Sequence, residues 1–441
     1  MGDSASTTPE LYAMNGGDGR FSYAKNSFLQ GHNVTASKGK IGEAIAEKLD
    51  LEILLSTSKT IRIVDVGCSV GPNTFLAIQS IIESIERKYQ AQELNINQKP
   101  EFQVFFNDLT SNDFNTLFSS LPPDRQYFAA GVPGSFHGRL FPEGSIHFFY
   151  SCIALHILSK VPEELLDKSS PSWNRGRIHY INAPDEVVNA YATQYAKGIE
   201  IFLDARAKEM VPGGMAVMIF PANPTGIPYS QTFTGAMFEL LESSILDLAR
   251  EGKISEAQVD SFNLPMYVPS LEEMMELVQK NGCFDIEKME LTSPGVLHES
   301  MTNTSSMGKA IVMHVRAGME RMLIQHFGSE IIDELFNRYA RKFEEFPHHV
   351  QPSKKLQLFV VLIRKKQPED ERTCSEKGLL KTRYTSNIGV KARALEVVVV
   401  TATSLLLTIS STCDWENYLE EHRLMPAPKH AWRRKTGRKL T

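Results

Sequence analysis

Apolar residues fall at helical spacing over 37–56 (SKGKIGEAIAEKLDLEILLS), which predicts an amphipathic helix there. The period then changes. TIRIVDV at 60–66 is a short β-rich run that stops at a glycine turn, and helical spacing resumes over 73–87. Strand, glycine turn and helix form the first half of a βαβ crossover. The alternation continues with strands predicted at 101–106 (EFQVFF), 125–132 and 145–151 (SIHFFYS). A long helix over 188–211 ends at Pro212-Gly213-Gly214, and MAVMIF at 215–220 reads as another buried strand. Between 222 and 281 the pattern is helical, interrupted by Pro228, Pro265 and Pro269; this is long for a connection and reads as an inserted cap. Strands at 283–291 and 355–364, with helices at 308–326 and 329–346 between them, complete the series.

Such near-continuous apolar strands suit a sheet covered by helices on both faces. The expected fold is α/β, a doubly wound, mostly parallel seven-stranded sheet. A core over 22–366 is expected to follow a flexible segment at 1–21, with a helical cap mainly at 153–190 and 222–281. After Lys366 the character changes. Residues 367–392 are polar and aperiodic, 397–409 are apolar but too short to span a bilayer, which takes about 20 apolar residues, and 429–441 are basic. The stretch 367–441 is read as a non-core tail, disordered or a gene-model extension.

Composition narrows the function. The net charge of −5 leaves no general nucleic-acid footprint. Five scattered cysteines without a C-x-x-C pair argue against a disulfide scaffold or structural zinc and fit a reducing, cytoplasmic setting. The start Met1-Gly2-Asp3-Ser4-Ala5-Ser6 matches the short N-myristoylation pattern, but one acyl chain binds membranes only marginally, so no membrane partner is expected.

The strongest local signal is Asp65-Val66-Gly67-Cys68-Ser69-Val70-Gly71-Pro72-Asn73, directly after the first strand. Glycines there allow a tight turn and close approach to a ligand, and the next helix directs its positive end at the same place. The spacing is G-x-x-x-G, not the dinucleotide G-x-G-x-x-G, and no Gly-Lys-Ser/Thr follows. Asp65 before the first glycine would repel a pyrophosphate. It suits a cation such as S-adenosylmethionine, which carries an ammonium and a sulfonium and no phosphate. Asp108, closing the second strand, can accept both ribose hydroxyls.

With these residues the chain resembles the plant SABATH family, methyltransferases of salicylic, benzoic, jasmonic and related acids and of theobromine. The resemblance runs from about Met14 to Lys365. Its motifs are Met14-Asn15-Gly16-Gly17-Asp18-Gly19, Ser22-Tyr23-Ala24, Asn26-Ser27, Gln30, the DVGCSVGPN turn, FFNDL, Gly131-Val132-Pro133-Gly134-Ser135-Phe136 and Leu158-Ser159-Lys160-Val161-Pro162. Within the family it looks most similar to members that methylate terpenoid-type acids such as farnesoic acid. The resemblance implies a class I, Rossmann-like methyltransferase. It implies an S-adenosylmethionine site lined by Tyr23, Asp65, Cys68, Asn73, Asp108, Leu109, Ser135, Phe136 and Ser151. Gln30 would donate its amide to the substrate carboxylate, with His156 beside it. A magnesium ion would take oxygen from Asn174, Asp260, the carbonyl of Phe262 and Asn263, and a homodimer is compatible with the family.

One departure bears on the acceptor. The family commonly reads Ser-Ser-Tyr-Ser-Leu-x-Trp-Leu-Ser where this chain has Ser151-Cys152-Ile153-Ala154-Leu155-His156-Ile157-Leu158-Ser159. The tryptophan that helps fix the carboxylate is therefore Ile157, and the tyrosine is Ile153. Ile153, Ile157 and Met266 are expected to form an apolar wall. The expected reaction is in-line methyl transfer to the carboxylate of a small, largely apolar acid, achieved by alignment without a catalytic acid or base. The alternatives are N-methylation of a purine alkaloid, or a degenerate binding protein; a serine hydrolase is not expected.

Overall fold

The structure, a computed structural model, describes residues 13–56, 58–92, 99–295, 304–345 and 356–366. The tail beyond Lys366 and the amino-terminal acylation pattern lie outside the described residues.

Seven strands form one sheet: β1 (Thr60–Val66), β2 (Glu101–Asp108), β3 (Phe128–Pro133), β4 (Ile146–Cys152), β5 (Met210–Pro221), β6 (Phe284–Thr292) and β7 (Gln357–Arg364), in spatial order β3-β2-β1-β4-β5-β7-β6. The first five run parallel, and β7 is antiparallel to both of its neighbours. This is the doubly wound, mostly parallel seven-stranded sheet that the strand pattern implies. The order reverses between β1 and β4, and at such a switch point a crevice opens beyond the carboxyl ends of the strands.

Both faces of the sheet are buried. Val64, Phe149, Met218 and Val360 point into one apolar layer, and Ile63, Phe148, Val217 and Phe359 into the other. The second layer is covered by α2 (Phe28–Lys48) and α4 (Pro72–Ala91), the first by α6 (Asp185–Glu209). The helices α1 (Tyr23–Asn26), α3 (Leu51–Leu55) and α5 (Phe114–Ser119) are short. After β5 the chain builds α7 (Phe233–Arg250), α8 (Glu256–Asp260) and α9 (Leu271–Asn281), and between β6 and β7 it adds α10 (Thr304–Phe327) and α11 (Ile332–Glu345).

Local chemistry sets the boundaries. Ser255 and Ser270 open α8 and α9 with reciprocal capping boxes, and Gly282 closes α9 in the left-handed conformation at φ 70°. The single helix predicted over 37–56 is two helices. The first begins at Phe28 and stops at Lys48, and Asp50 caps the second by accepting the Ile53 N–H at 3.0 Å. Pro212-Gly213-Gly214 does not precede β5 but lies inside it, at the irregularity where Met210 pairs with Ile146 before Met215 pairs with Phe148.

The cap is stitched to the sheet just past β4. Leu158 N donates to the Pro265 carbonyl at 2.8 Å, and Tyr267 N donates to the His156 carbonyl at 2.9 Å. An isolated antiparallel bridge joins Ile157 to Met266. These bonds fix the segment 153–158, which carries three of the residues expected at the acceptor.

Candidate active site

A cavity of about 910 Å³, counting the space at its mouth, opens at the switch point. Tyr23, Asp65, Cys68, Asn73, Asp108, Leu109, Ser135 and Phe136 all line it. Ser151 does not. It is buried beneath the cavity floor, where its Oγ donates to the Val66 carbonyl at 3.0 Å and ties β4 to β1. Residues that the sequence reading passed over also line the cavity, among them Met14, Thr74, His137 and Tyr150.

The two acids sit where the strand ends place them. Asp65 Oδ2 accepts from the Thr74 hydroxyl, at the start of α4. Burial pushes its carboxyl up to about 7, against the lowering effect of that hydroxyl, and Asp108 adds to the rise. Asp108 accepts the backbone N–H of Ser69 at 2.7 Å and of Leu109 at 2.8 Å, yet burial still raises it to about 6. Two carboxyls buried in this cleft at such a cost favour a cation or hydroxyl-rich ligand that stabilises their charge.

The glycines of the turn serve the protein's own packing. Gly67 has φ 75°, and a β-carbon there would lie 2.5 Å from the Ala154 Cβ. Gly71 has φ 106°, and its β-carbon would lie 2.8 Å from the Ala24 Cα. The close approach is thus to α1 and to the 153–158 segment, which form walls of the cavity. Gly67-Cys68-Ser69-Val70-Gly71 does spell the G-x-S-x-G pattern of serine hydrolases, and Ser69 has φ 51° on a strand-to-helix turn, so the pattern cannot exclude that class. What excludes it is the missing base: the buried Ser69 Oγ has no hydrogen-bond partner among the described residues.

A second cavity of about 760 Å³ adjoins the first and shares Met14, Tyr23, Gln30, Ile153 and Ile157 with it. Its walls are mainly apolar: Leu29, Phe233, Met237, Phe238, Met266, Val315 and Met319 join the two isoleucines. His156 lines this cavity, its Nδ1 buried and without a partner among the described residues. Desolvation drops the imidazole to about 4, so it is neutral at pH 7. Ile153 has φ 57°, an outlier for a β-branched residue, and its N–H donates to the Ile219 carbonyl at 2.7 Å.

Gln30 stands at the seam of the two cavities. Its Nε2 lies 3.2 Å from Nε2 of His314, whose Nδ1 lies 3.0 Å from the Asn26 carbonyl. That carbonyl can only accept, so in the neutral imidazole the proton is on Nδ1, and Gln30 donates to the lone pair on Nε2. Gln30 Oε1 is buried and has no partner among the described residues. His314 belongs to α10, far along the chain, and its role carries no sequence motif.

The family model for SAM-dependent carboxyl methyltransferases matches residues 9–366. This chain belongs to that family. Loganic acid O-methyltransferase of Catharanthus roseus is 46% identical over 364 residues, covering 81% of this chain and 96% of the relative. Farnesoic acid carboxyl-O-methyltransferase of Arabidopsis thaliana is 45% identical over 282 residues, covering 64% and 79%. A solved loganic acid methyltransferase structure with S-adenosylhomocysteine superposes with a TM-score of 0.76 at 45% identity, over 80% of this chain and 99% of that one. The protein is therefore an S-adenosylmethionine-dependent methyltransferase, and the switch-point cavity, with its two raised acids, fits that cofactor.

Of the four residues expected to hold magnesium in this methyltransferase, Asn174 and Asn263 are in contact, and Asp260 bonds the loop next to Asn174. Asn174 Nδ2 donates to Asn263 Oδ1 at 2.6 Å, and Asp260 Oδ1 accepts the Gly176 N–H at 2.7 Å. Asn174 Oδ1 is buried and has no partner among the described residues, an atom that a cation would satisfy. The Asn263 oxygen is already occupied, accepting from Tyr191 as well at 3.4 Å. Among the described residues no cluster of three histidine, cysteine or acidic side chains forms a metal site. No helix among them is long and apolar enough to cross a membrane.

Proposed function

We propose that this methyltransferase forms the methyl ester of a largely apolar, terpenoid-type carboxylic acid. The observation that carries the reading is the position of Gln30, a side-chain amide shared by the cofactor cavity and an adjoining cavity with mainly apolar walls. S-adenosylmethionine, when bound, supplies the methyl group and a sulfonium leaving group.

The protein's part is placement. Asp65 and Asp108 would take the cofactor's ammonium and ribose hydroxyls, and Gln30 would direct an N–H at the acid's carboxylate. A carboxylic acid is already ionised at neutral pH, so no proton need be removed. His156, held near 4 by burial, is a weak base and serves as a polar wall. The surrounding isoleucine, phenylalanine and methionine side chains keep water from the carboxylate, and bringing it into line with the methyl group supplies most of the rate.

Polar groups in the acceptor cavity are few, chiefly Gln30, Asn33, His156, Thr234 and His314, which favours a hydrocarbon-rich acid over a glycosylated one. Comparing kcat/KM for a fifteen-carbon isoprenoid acid, a glycosylated acid of similar length and a xanthine tests this. Preference for the isoprenoid acid is expected; preference for either of the others would replace the reading. Magnesium at Asn174, Asp260, Phe262 and Asn263 would be structural, tying the 174–182 loop to α8. Among the described residues Cys68, Cys152 and Cys283 form no disulfide, which supports a reducing, cytosolic setting.

A further inference from the structure

We propose that His314 is a positioning residue for the acceptor: it fixes the Gln30 amide so that an N–H, and not the amide oxygen, faces the substrate carboxylate. The proposal rests on the reading of Gln30 as the carboxylate donor. It answers a problem specific to this chain. Ile157 offers no donor, so recognition of the anion leans on the Gln30 amide, whose two ends are nearly the same size. Turned by 180°, that amide would set its oxygen against a carboxylate in an apolar cavity, where like charges are poorly screened.

The described structure holds the amide from one side only. Gln30 Oε1 has no partner, while Nε2 is bonded to His314 at 3.2 Å. The direction of that bond originates in the backbone. The Asn26 carbonyl, at the end of α1, accepts the Nδ1–H at 3.0 Å, which leaves a lone pair on Nε2 of the neutral ring. A lone pair accepts from an amide N–H₂ and repels an amide oxygen, so the tautomer selects the rotamer. The ring is itself confined: Tyr23 and Phe28 each lie 6.1 Å from it, centroid to centroid, the latter edge-on at 83°. One hydrogen of Nε2 serves His314. The other is left for the carboxylate, and Gln30 lines both cavities.

The test is a double-mutant cycle on the full chain, reading KM for the preferred acid and the Kd of S-adenosylhomocysteine. His314→Ala is expected to raise the acid KM roughly tenfold, the scale of one lost hydrogen bond to a charged group, with S-adenosylhomocysteine affinity unchanged. His314→Gln, whose oxygen can accept from Gln30, should recover most of the loss. In a Gln30→Ala background His314→Ala should change nothing further. Additive effects, or an equal loss of cofactor affinity, would overturn the proposal. The ¹⁵N spectrum of selectively labelled wild-type protein with S-adenosylhomocysteine reads the relay without any acceptor. A proton on Nδ1, with the Nε2 resonance moving in Gln30→Ala, supports it, and a proton on Nε2 refutes it. A protein that esterified no acid would sink the substrate reading, while this spectrum would still decide the His314 relay.

Discussion

A β-carbon on Gly71 would stand 2.8 Å from the Cα of Ala24, closer than real contacts allow, so the cofactor turn and α1 are packed backbone to backbone. Asn73 continues the seam by donating to the Ser27 carbonyl at 2.9 Å and to its hydroxyl at 2.8 Å. Gly71→Ala must both strain a backbone at φ 106° and push α1 outward. A stability loss of about 1–3 kcal/mol is expected from the strain, together with weaker cofactor binding because Tyr23 moves with α1. Thermal melts with and without S-adenosylhomocysteine measure both; a variant that bound the cofactor normally would show the contact to be incidental.

Asp65 sets stability against function. Its folded pKa, raised to about 7, lies above the unfolded value, so the native state binds the extra proton. Stability from this group is therefore lost as pH rises from about 4 to about 7. Asp65→Asn should raise Tm at pH 8 by a few degrees while removing measurable cofactor binding. In the wild type, affinity for S-adenosylmethionine should climb as pH rises through about 7 and then level. A flat affinity between pH 6 and 8 would contradict this role.

Arg206 and Glu209 hold the Ser135–Phe136 wall from behind. The guanidinium donates to the Phe136 and Gly138 carbonyls at 2.9 Å each, and Glu209 accepts the N–H groups of Leu140 and Phe141. Both side chains are fully buried and paired at 2.7 Å. Arg206→Ala should cost about 3–5 kcal/mol by stranding the Glu209 charge. Arg206→Lys keeps a charge but cannot reach both carbonyls, so it should weaken S-adenosylhomocysteine binding severalfold with a smaller stability loss. Equal cofactor affinity in Arg206→Lys and wild type would separate the clasp from the site.

Ile153 adopts φ 57°, where a β-branched side chain is strained and asparagine is tolerated. Ile153→Asn is expected to gain about 1 kcal/mol from the backbone and to raise the acid KM by making the acceptor wall polar. Chemical denaturation and steady-state kinetics on one preparation read the two effects. A stability loss would place the value of Ile153 in packing and not in its conformation.

The cofactor half of the site is legible in the sequence because its chemistry is local. One strand, one glycine turn and one helix bring Asp65, Cys68 and Asn73 together within a few residues, and Asp108 closes the neighbouring strand. Ser151 shows the limit: a residue at a strand end can face the sheet's interior and bond β1 instead of a ligand. The acceptor half is built from α7, α10 and the stretch after β4, and no periodicity in α10 distinguishes His314 from a surface histidine. Its meaning arises only when folding sets it against Gln30, 284 positions earlier. Likewise the left-handed Ile153 has no propensity signal, because tertiary packing imposes it against local preference.

The most direct measurement is transfer of an isotopically labelled methyl group from S-adenosylmethionine to a panel of isoprenoid acids and xanthines, with the product identified by mass spectrometry. The expected result is a methyl ester of an apolar acid, abolished in Gln30→Ala while S-adenosylhomocysteine still binds. Label on a xanthine nitrogen, or ester formation indifferent to Gln30, would contradict the assignment of the acceptor site.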